Sequence, residues 1–197
     1  VRSNDTDYPF RAHSDFAYLT GWGSDSEPDS VLVFEPTAGG HDVCLYFRAP
    51  AGRDSDEFYA NPQIGEFWIG RRPSLTAVSS ELGLTTRDLG DLLGDEMEDT
   101  LAKRVARELA EMRLIKDAWE IDQMRAAVAS TQRGFADIAR VLKVIAGNER
   151  GERLVEGAFA SRARLEGNGV GYDTIAASGA HACILHWTRN DGTVDSG

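Results

Sequence analysis

Histidine is the residue type in this chain best suited to acid–base or metal-ligand chemistry, and four are present: His13, His41, His181 and His186. His13 and His41 lie in polar, turn-like stretches, and we expect solvated surface positions for both. His186 differs because it lies in an otherwise apolar segment, residues 183–188. A histidine in such a segment must find a hydrogen-bond partner or open onto a cavity. From the pattern alone a satisfied core histidine is favoured, and a pocket histidine remains the alternative.

The surroundings of His186 are predicted from strand periodicity. On an extended strand at residues 183–188, successive side chains point to opposite faces, so His186 shares a face with Ile184. A second strand is predicted at residues 171–177, paired with the first across a short turn. This pairing is expected to bring Tyr172 close to His186.

The residues present do not predict a metal site. An oxygen-rich dinuclear site needs several carboxylates that converge on one cavity. Most acidic residues are placed on helix exteriors or in the acidic stretch at residues 88–100, and turn or surface positions explain Asp173 and Asp191. The sequence also lacks G-x-G-x-x-G, the P-loop, H-E-x-x-H and G-x-S-x-G.

The first half of the chain predicts an α/β domain. The apolar run at residues 31–34 predicts a buried strand, and residues 42–48 predict a second strand with alternating faces. The turn at residues 36–40 between them indicates a hairpin. Two short helices are each expected to begin at a serine cap and end at a glycine: Ser14 to Gly21 and Ser74 to Gly83.

The second half predicts helices followed by the two late strands, which is the beginning of an α+β domain. We take the acidic stretch at residues 88–100 as a surface connection, and we place the domains at residues 1–99 and 100–197. Asp117 and Glu120 have the spacing of a capping box. The long helix that follows carries one apolar stripe, expected to be core: Ile121, Met124, Val128, Thr131, Phe135, Ile138 and Leu142.

Composition limits the classes of function. With 42% hydrophobic and 27% charged residues, the chain is expected to be globular rather than disordered. A formal net charge of −11 argues against nucleic acid and against an anionic membrane surface as partners. No apolar run approaches the roughly 20 residues of a membrane-spanning helix. We expect a cytoplasmic protein with reduced thiols at Cys44 and Cys183.

Several stretches, in the same order along nearly the whole chain, resemble the Xaa-Pro aminopeptidases of the creatinase family. In the first half these are Asp-Tyr-Pro-Phe-Arg at 7–11, Ser-Asp-Phe-Ala-Tyr-Leu-Thr-Gly at 14–21 and Phe-Trp-Ile-Gly-Arg-Arg at 67–72. In the second half they are Met-Arg-Leu-Ile-Lys at 112–116, Gly-Tyr-Asp-Thr-Ile at 171–175 and Ser-Gly-Ala-His-Ala-Cys-Ile-Leu-His-Trp at 178–187. The resemblance implies a creatinase-type N-terminal domain followed by the first part of a pita-bread catalytic domain.

The resemblance also implies roles for two residues. His186 matches the family's pocket histidine, which is thought to hydrogen-bond the substrate near the scissile bond and to stabilise the tetrahedral intermediate. Tyr172 matches a tyrosine close to the metal site. The implied substrates are peptides with proline in second position.

The implied cofactors are two divalent cations, usually manganese. The family's five metal ligands, which are two aspartates, a histidine and two glutamates, would all fall beyond Gly197. The chain begins at Val1 rather than methionine and stops shortly after a turn, so both ends are expected to be cut. As a complete polypeptide it is expected to be inactive, and as part of a longer one it is expected to belong to a metallo-aminopeptidase.

Two alternatives remain open. Within the same fold the protein would be a prolidase or a creatinase. In another class it would be a binding or scaffold protein that kept the pita-bread fold and lost the metals. A homo-oligomer is also expected, and exposed aromatic residues such as Phe67 and Trp68 are candidates for its interface, although packing onto their own domain is favoured.

Overall fold

The structure is a computed structural model that describes residues 10–23, 25–62, 64–92, 99–167 and 169–195. The chain divides into two compact units, Val1–Ile115 and Lys116–Gly197. The first unit contains a small sheet with short helices, which agrees with the predicted α/β class. The second unit is built mainly from two long helices and an irregular C-terminal segment.

The sheet of the first unit has the strand order β1-β2-β3. Strands β1 (Val31–Thr37) and β2 (Gly40–Phe47) pair antiparallel, so the predicted hairpin is confirmed. Strand β3 (Thr85–Asp88) runs parallel to β2 and was not predicted. Its sequence, Thr-Thr-Arg-Asp, has no apolar alternation. Its strand conformation is therefore determined by parallel pairing with β2 rather than by a pattern of its own side chains.

Strand β1 was predicted to be buried, and this is wrong. Phe34 is 45% exposed and Val31 is also exposed. The physical reason is the position of β1 at the edge of the sheet, where it has one neighbouring strand instead of two. Its apolar run therefore covers only part of one face.

The described residues of the first unit form five α-helices: α1 (Ser14–Thr20), α2 (Asp56–Ala60), α3 (Glu66–Ile69), α4 (Leu75–Leu82) and α5 (Asp99–Met112). The predicted glycine ends are confirmed, since Gly21 and Gly83 have φ values of 71° and 67°. Ser74 caps α4 as predicted. The predicted cap of α1 is wrong, because the His13 side chain, and not Ser14, accepts from the N–H of Asp15.

The core of the first unit lies between the sheet and α4. It contains Trp22, Leu45, Phe47 and Val78, and the Trp22 and Phe47 rings meet edge to face with centroids 5.1 Å apart. At the end of α5 the guanidinium of Arg113 contacts Asp15 of α1 at 2.6 Å. Helix α5 therefore lies in the first unit, and the domain boundary placed between residues 99 and 100 stays a prediction.

The second unit begins with a capped helix, α6 (Ala118–Ala146). The predicted capping box is confirmed: the N–H of Glu120 donates to Asp117 at 2.8 Å, and the N–H of Asp117 donates to Glu120 at 2.9 Å. Helix α7 (Gly151–Glu166) follows after a short turn and packs antiparallel against α6. Where they meet, Phe159 contacts Phe135 and lies over Gly134.

Charged residues join α6 and α7 at their surface. Glu166 accepts from Arg133 and Arg162, and Asp137 accepts from Arg162 at 2.7 Å. These ion pairs lower the pKa of the Glu166 carboxyl to about 2, with the Arg133 hydrogen bond as the largest cause. The two helices are thus joined by an aromatic contact and a charged network.

The apolar stripe of α6 was predicted to be core, and this is wrong. Phe135 is 63% exposed, and five other stripe residues are also exposed: Ile121, Met124, Val128, Thr131 and Leu142. Among the described elements of this unit only α7 packs extensively against α6, and it does so at the level of Gly134 and Phe159. Most of the stripe has no covering element there.

The prediction of two late strands is also wrong. Residues 171–177 and 184–188 have no regular secondary structure, and a short 3₁₀ turn, Gly179–Cys183, lies between them. The physical reason lies in the hydrogen bonds of these segments. The N–H of Ala176 donates to the buried Asn190 side chain and the Trp187 indole donates to the buried Glu152 carboxylate, so buried side chains instead of a strand ladder hold these segments.

Candidate functional site

The site is centred on Glu152, in the first turn of α7, which is fully buried. An acidic residue in a first turn is favoured by the unpaired N–H groups and the dipole of the helix. The backbone N–H of Glu152 donates to the carbonyl of Gly192 at 3.1 Å. This bond fixes the C-terminal segment against the start of α7.

The Glu152 carboxylate accepts four hydrogen bonds, two on each oxygen. The Oε1 atom accepts from the backbone N–H of Ser178 and from Nδ1 of His181, both at 2.9 Å. The Oε2 atom accepts from Nε1–H of Trp187 and from the backbone N–H of Gly192, both at 2.8 Å. A buried charge is tolerated only with such partners. We call these five residues the Glu152 cluster.

The carboxylate of the cluster is ionised at neutral pH. Burial by itself raises the pKa of Glu152, but the hydrogen bonds from Trp187, Ser178, His181 and Gly192 outweigh it and lower the pKa to about 2. An ionised carboxylate can only accept, so the proton of the shared bond belongs to His181 Nδ1. When that imidazole is neutral, its Nε2 atom is therefore an acceptor.

The rings of the cluster are closely packed. The His181 and Trp187 rings are stacked with centroids 3.9 Å apart, and the Arg189 guanidinium lies 5.0 Å from the Trp187 centroid. A Cβ atom on Gly192 would come within 2.7 Å of the His181 ring, so this close approach requires glycine. The side chain of His181 is itself partly open to solvent.

A second buried polar residue, Asn190, supports the same segment. Its Oδ1 atom accepts from the N–H of Ala176 at 3.0 Å, and its Nδ2 atom donates to the carbonyl of Thr174 at 2.9 Å. Asn190 has a φ of 46°, in the left-handed region that asparagine tolerates better than most residues. Asn190 thus ties the stretch before the 3₁₀ turn to the stretch after Trp187.

His186 lies in an exposed turn between these anchored stretches. The satisfied core histidine that the sequence pattern favoured is therefore wrong. Its neighbour Leu185 is 87% exposed, whereas Trp187 on the other side is buried. Directly after the turn, the backbone N–H of Thr188 donates to the carbonyl of His186 at 3.0 Å. The arrangement presents an imidazole to solvent from a segment fixed at both sides.

Tyr172, the other predicted site residue, is 80% exposed. Among the described residues no hydrogen bond or ring contact joins it to His186. The strand pairing that was expected to bring the two together does not form. The functional roles of Tyr172 and His186 stay predictions.

Sequence reasoning missed Glu152, and it noted His181 without giving it a role. An acidic residue near the start of an amphipathic helix usually lies in solvent, so the sequence around Glu152 carries no sign of burial. The local signal is Gly151, where an added Cβ atom would lie 2.9 Å from the backbone nitrogen of Val194.

The described residues do not form a metal site, because among them no group of three or more histidine, cysteine, aspartate or glutamate side chains could hold an ion. Within the same part of the chain no helix is long and apolar enough to cross a membrane. Both cysteines, Cys44 and Cys183, are free thiols.

The chain matches two protein families over nearly its whole length. Residues 1–110 match the family described as "Aminopeptidase P, N-terminal domain". Residues 122–197 match "Metallopeptidase family M24". The order of the two matches is the order of the two compact units.

Curated relatives align with the entire chain. Xaa-Pro aminopeptidase 1 of Streptomyces coelicolor is 42% identical over 221 aligned positions, which cover 100% of this chain and 44% of the relative. Xaa-Pro aminopeptidase 2 of the same organism is 41% identical and is covered to 46% of its length. The chain thus spans about half the length of the curated relatives it matches.

Solved structures support the fold. A variant of Escherichia coli aminopeptidase P superposes with a TM-score of 0.70 at 23% identity, covering 100% of this chain and 50% of that one. A low-pH form of the E. coli enzyme gives a TM-score of 0.64 at 24% identity and is also covered to 50%. At these identities the likeness shows the fold.

Proposed function

Because this chain belongs to the aminopeptidase P family, we propose that its protein is an aminopeptidase that releases the N-terminal residue from peptides with proline second. The observation that carries the proposal is the pair of family matches, at residues 1–110 and 122–197, in one continuous chain. The names of the two Streptomyces relatives, Xaa-Pro aminopeptidase 1 and 2, support the same substrate class.

In this proposal His186 is the catalytic residue that the chain contributes. Its imidazole would donate a hydrogen bond to the substrate close to the scissile bond, where negative charge develops on the carbonyl oxygen. The exposed turn and the anchored stretches on either side support this role, because a donor must be both reachable and fixed. Tyr172, which is also exposed, is proposed to line the same substrate site.

The proposal includes two divalent cations, with manganese as the expected metal. The match to the M24 metallopeptidases supports a metal, and the described residues do not supply its ligands. We expect those ligands downstream of Gly197, in the part of the relatives that this chain does not match. We also propose that the protein is cytoplasmic. The net charge of −11 supports the further proposal that it does not bind nucleic acid.

The test begins with intact mass spectrometry of the natural protein, where a mass above the 21.5 kDa of this chain indicates further residues. That protein, supplied with manganese, is then incubated with a tripeptide of the Xaa-Pro-Xaa type and with its Xaa-Ala-Xaa counterpart. Release of the first residue from the proline peptide alone is the expected result, and His186→Ala should abolish most of it. If neither peptide releases its first residue, the proposal is contradicted.

The same assay separates the alternatives. Cleavage of Xaa-Pro dipeptides with no action on longer peptides indicates a prolidase, and hydrolysis of creatine without peptide cleavage indicates a creatinase. A protein that binds no manganese by elemental analysis and cleaves none of these substrates is the metal-free scaffold instead.

A further inference from the structure

The turn that carries His186 is exposed and has no regular secondary structure. Ile184, Leu185 and His186 are all exposed, and no strand or helix of the described chain includes them. A segment of this kind usually samples many conformations. The residues on both sides of it are nevertheless fixed by buried polar contacts.

One carboxylate makes most of these contacts. On the side before the turn, Glu152 Oε1 accepts from the Ser178 backbone and from the His181 ring. On the side after it, Glu152 Oε2 accepts from the Trp187 indole and from the Gly192 backbone. A single buried side chain therefore bridges the two ends of the segment, and Trp187 directly follows His186 in sequence.

The chemistry of the contacts makes them strong enough for this role. All four are hydrogen bonds to an ionised acceptor, which are shorter and stronger than bonds between neutral groups. The carboxylate is fully buried, so water does not compete for its oxygens. Two flat rings, those of His181 and Trp187, close the space beside it by stacking.

We propose that Glu152 is a positioning residue for His186, which holds the turn at residues 184–186 in the one conformation that presents the imidazole to substrate. Glu152 itself does not touch substrate in this scheme. The inference deepens the proposed function and rests on it, since the position of His186 matters to catalysis only if His186 acts there.

The test uses the full-length protein and four variants. Glu152→Gln keeps the size of the side chain and replaces one acceptor oxygen with a donor. Trp187→Phe keeps an aromatic ring in the stack and removes the Nε1–H donor together with part of the indole, so it carries the test if Glu152→Gln does not fold. Glu149→Gln is the matched control, a fully ordinary exposed glutamate just before α7. His186→Ala provides the background for double variants.

We expect Glu152→Gln to lower kcat by roughly 100-fold, the size of effect produced when a reacting group is misplaced by about 1 Å. Trp187→Phe should lower kcat by roughly 10-fold because three of the four bonds remain. The KM should change by less than about threefold in both variants. In the His186→Ala background neither change should lower kcat further, because a positioning residue acts only through the group it positions.

Two kinetic results overturn the inference. A folded Glu152→Gln or Trp187→Phe variant with the kcat of the Glu149→Gln control shows that the contacts do not position His186. A loss of equal size with and without His186 shows a merely structural role. If the wild-type protein releases nothing, the proposed function fails instead.

Amide hydrogen exchange at residues 184–188 then tests the positioning role of Glu152 without an activity assay. Loss of the contacts should speed exchange in the Glu152 and Trp187 variants. Exchange that is no faster in these variants than in wild type contradicts the positioning role.

Discussion

The indole Nε1–H of Trp187 donates a 2.8 Å hydrogen bond to the carboxylate of Glu152, which lies 35 positions earlier in the chain. Both side chains are buried, so the bond forms in a region from which water is excluded. Losing the donor would leave a buried charge with one partner fewer, which costs more than the bond contributes when formed. The conformation next to His186 therefore depends on the single Nε1–H donor of Trp187.

Stability should depend on pH through Glu152. Its pKa is about 2 when folded and 4.5 in the reference state, so the folded state binds the proton less tightly. The stabilisation is fully present above about pH 4.5 and is lost as the pH falls toward 2. It amounts to at most about 3 kcal/mol. The advantage of wild type over Glu152→Gln in urea unfolding should stay constant from about pH 6 to 4.5 and shrink as the pH falls from about 4.5 to 3.

The control for this experiment is Glu149→Gln, whose site is exposed. Its unfolding free energy should follow that of wild type at every pH. A constant gap between wild type and Glu152→Gln over the whole range would contradict the role of the Glu152 carboxylate.

Two helical glycines should respond to alanine with opposite signs. A Cβ on Gly134 of α6 would lie 2.9 Å from the Phe159 ring, whereas a Cβ on Gly157 of α7 meets nothing within 4 Å. Gly157→Ala should raise the unfolding free energy by up to about 1 kcal/mol through helix propensity. Gly134→Ala should lower it, because Phe159 must move from its contact with Phe135. Thermal unfolding of both variants side by side checks this, and two changes of the same sign would refute it.

Truncation of Phe47 should be among the most damaging changes in the first unit. Phe47 is fully buried and contacts the Trp22 ring edge to face. Phe47→Ala should lower the unfolding free energy by about 3–5 kcal/mol. Phe34→Ala, on the exposed edge strand, should lower it by no more than about 1 kcal/mol. Denaturant unfolding gives both values, and equal losses would mean that the burial assigned to β1 and β2 is incorrect.

The homo-oligomer expected from the sequence has a specific candidate surface. Tyr59, Phe67, Trp68 and Ile69 are all exposed, and the Phe67 ring lies 5.5 Å from those of Tyr59 and Trp68. Trp68→Ala should lower the mass measured by light scattering if this surface joins subunits. The Phe34→Ala variant, which changes a different exposed aromatic residue, should keep the wild-type mass. An unchanged mass for Trp68→Ala would exclude the surface as a major interface.

The elements that sequence reasoning predicted correctly are those determined by close neighbours. The capping box of Asp117 and Glu120 spans three positions, and Gly21 and Gly83 end their helices through their own left-handed conformation. The β1–β2 hairpin likewise joins strands separated by a short turn. In each case the interacting residues are close together in the sequence, so their types and spacing were sufficient to predict the local structure.

The incorrect predictions concern segments whose structure depends on residues that are distant in the sequence. The segments at 171–177 and 183–188 have the alternation of strands, but Glu152 and Asn190 bind their backbone groups and neighbours instead. Strand β3 has no strand pattern and forms because β2 lies beside it. The stripe of α6 has the pattern of a core helix and is exposed, since periodicity defines a face without defining what covers it.

By itself the sequence determined the glycine ends of α1 and α4, the capping box of α6, the hairpin and the family resemblance that singled out His186. Only the tertiary structure decided that His186 lies in an exposed turn, and that Glu152 is the buried acceptor for contacts from 26 to 40 positions away. The physical reason is that helix caps and tight turns depend on neighbours within a few residues. The burial and protonation of a carboxylate depend instead on every group that the folded chain brings around it.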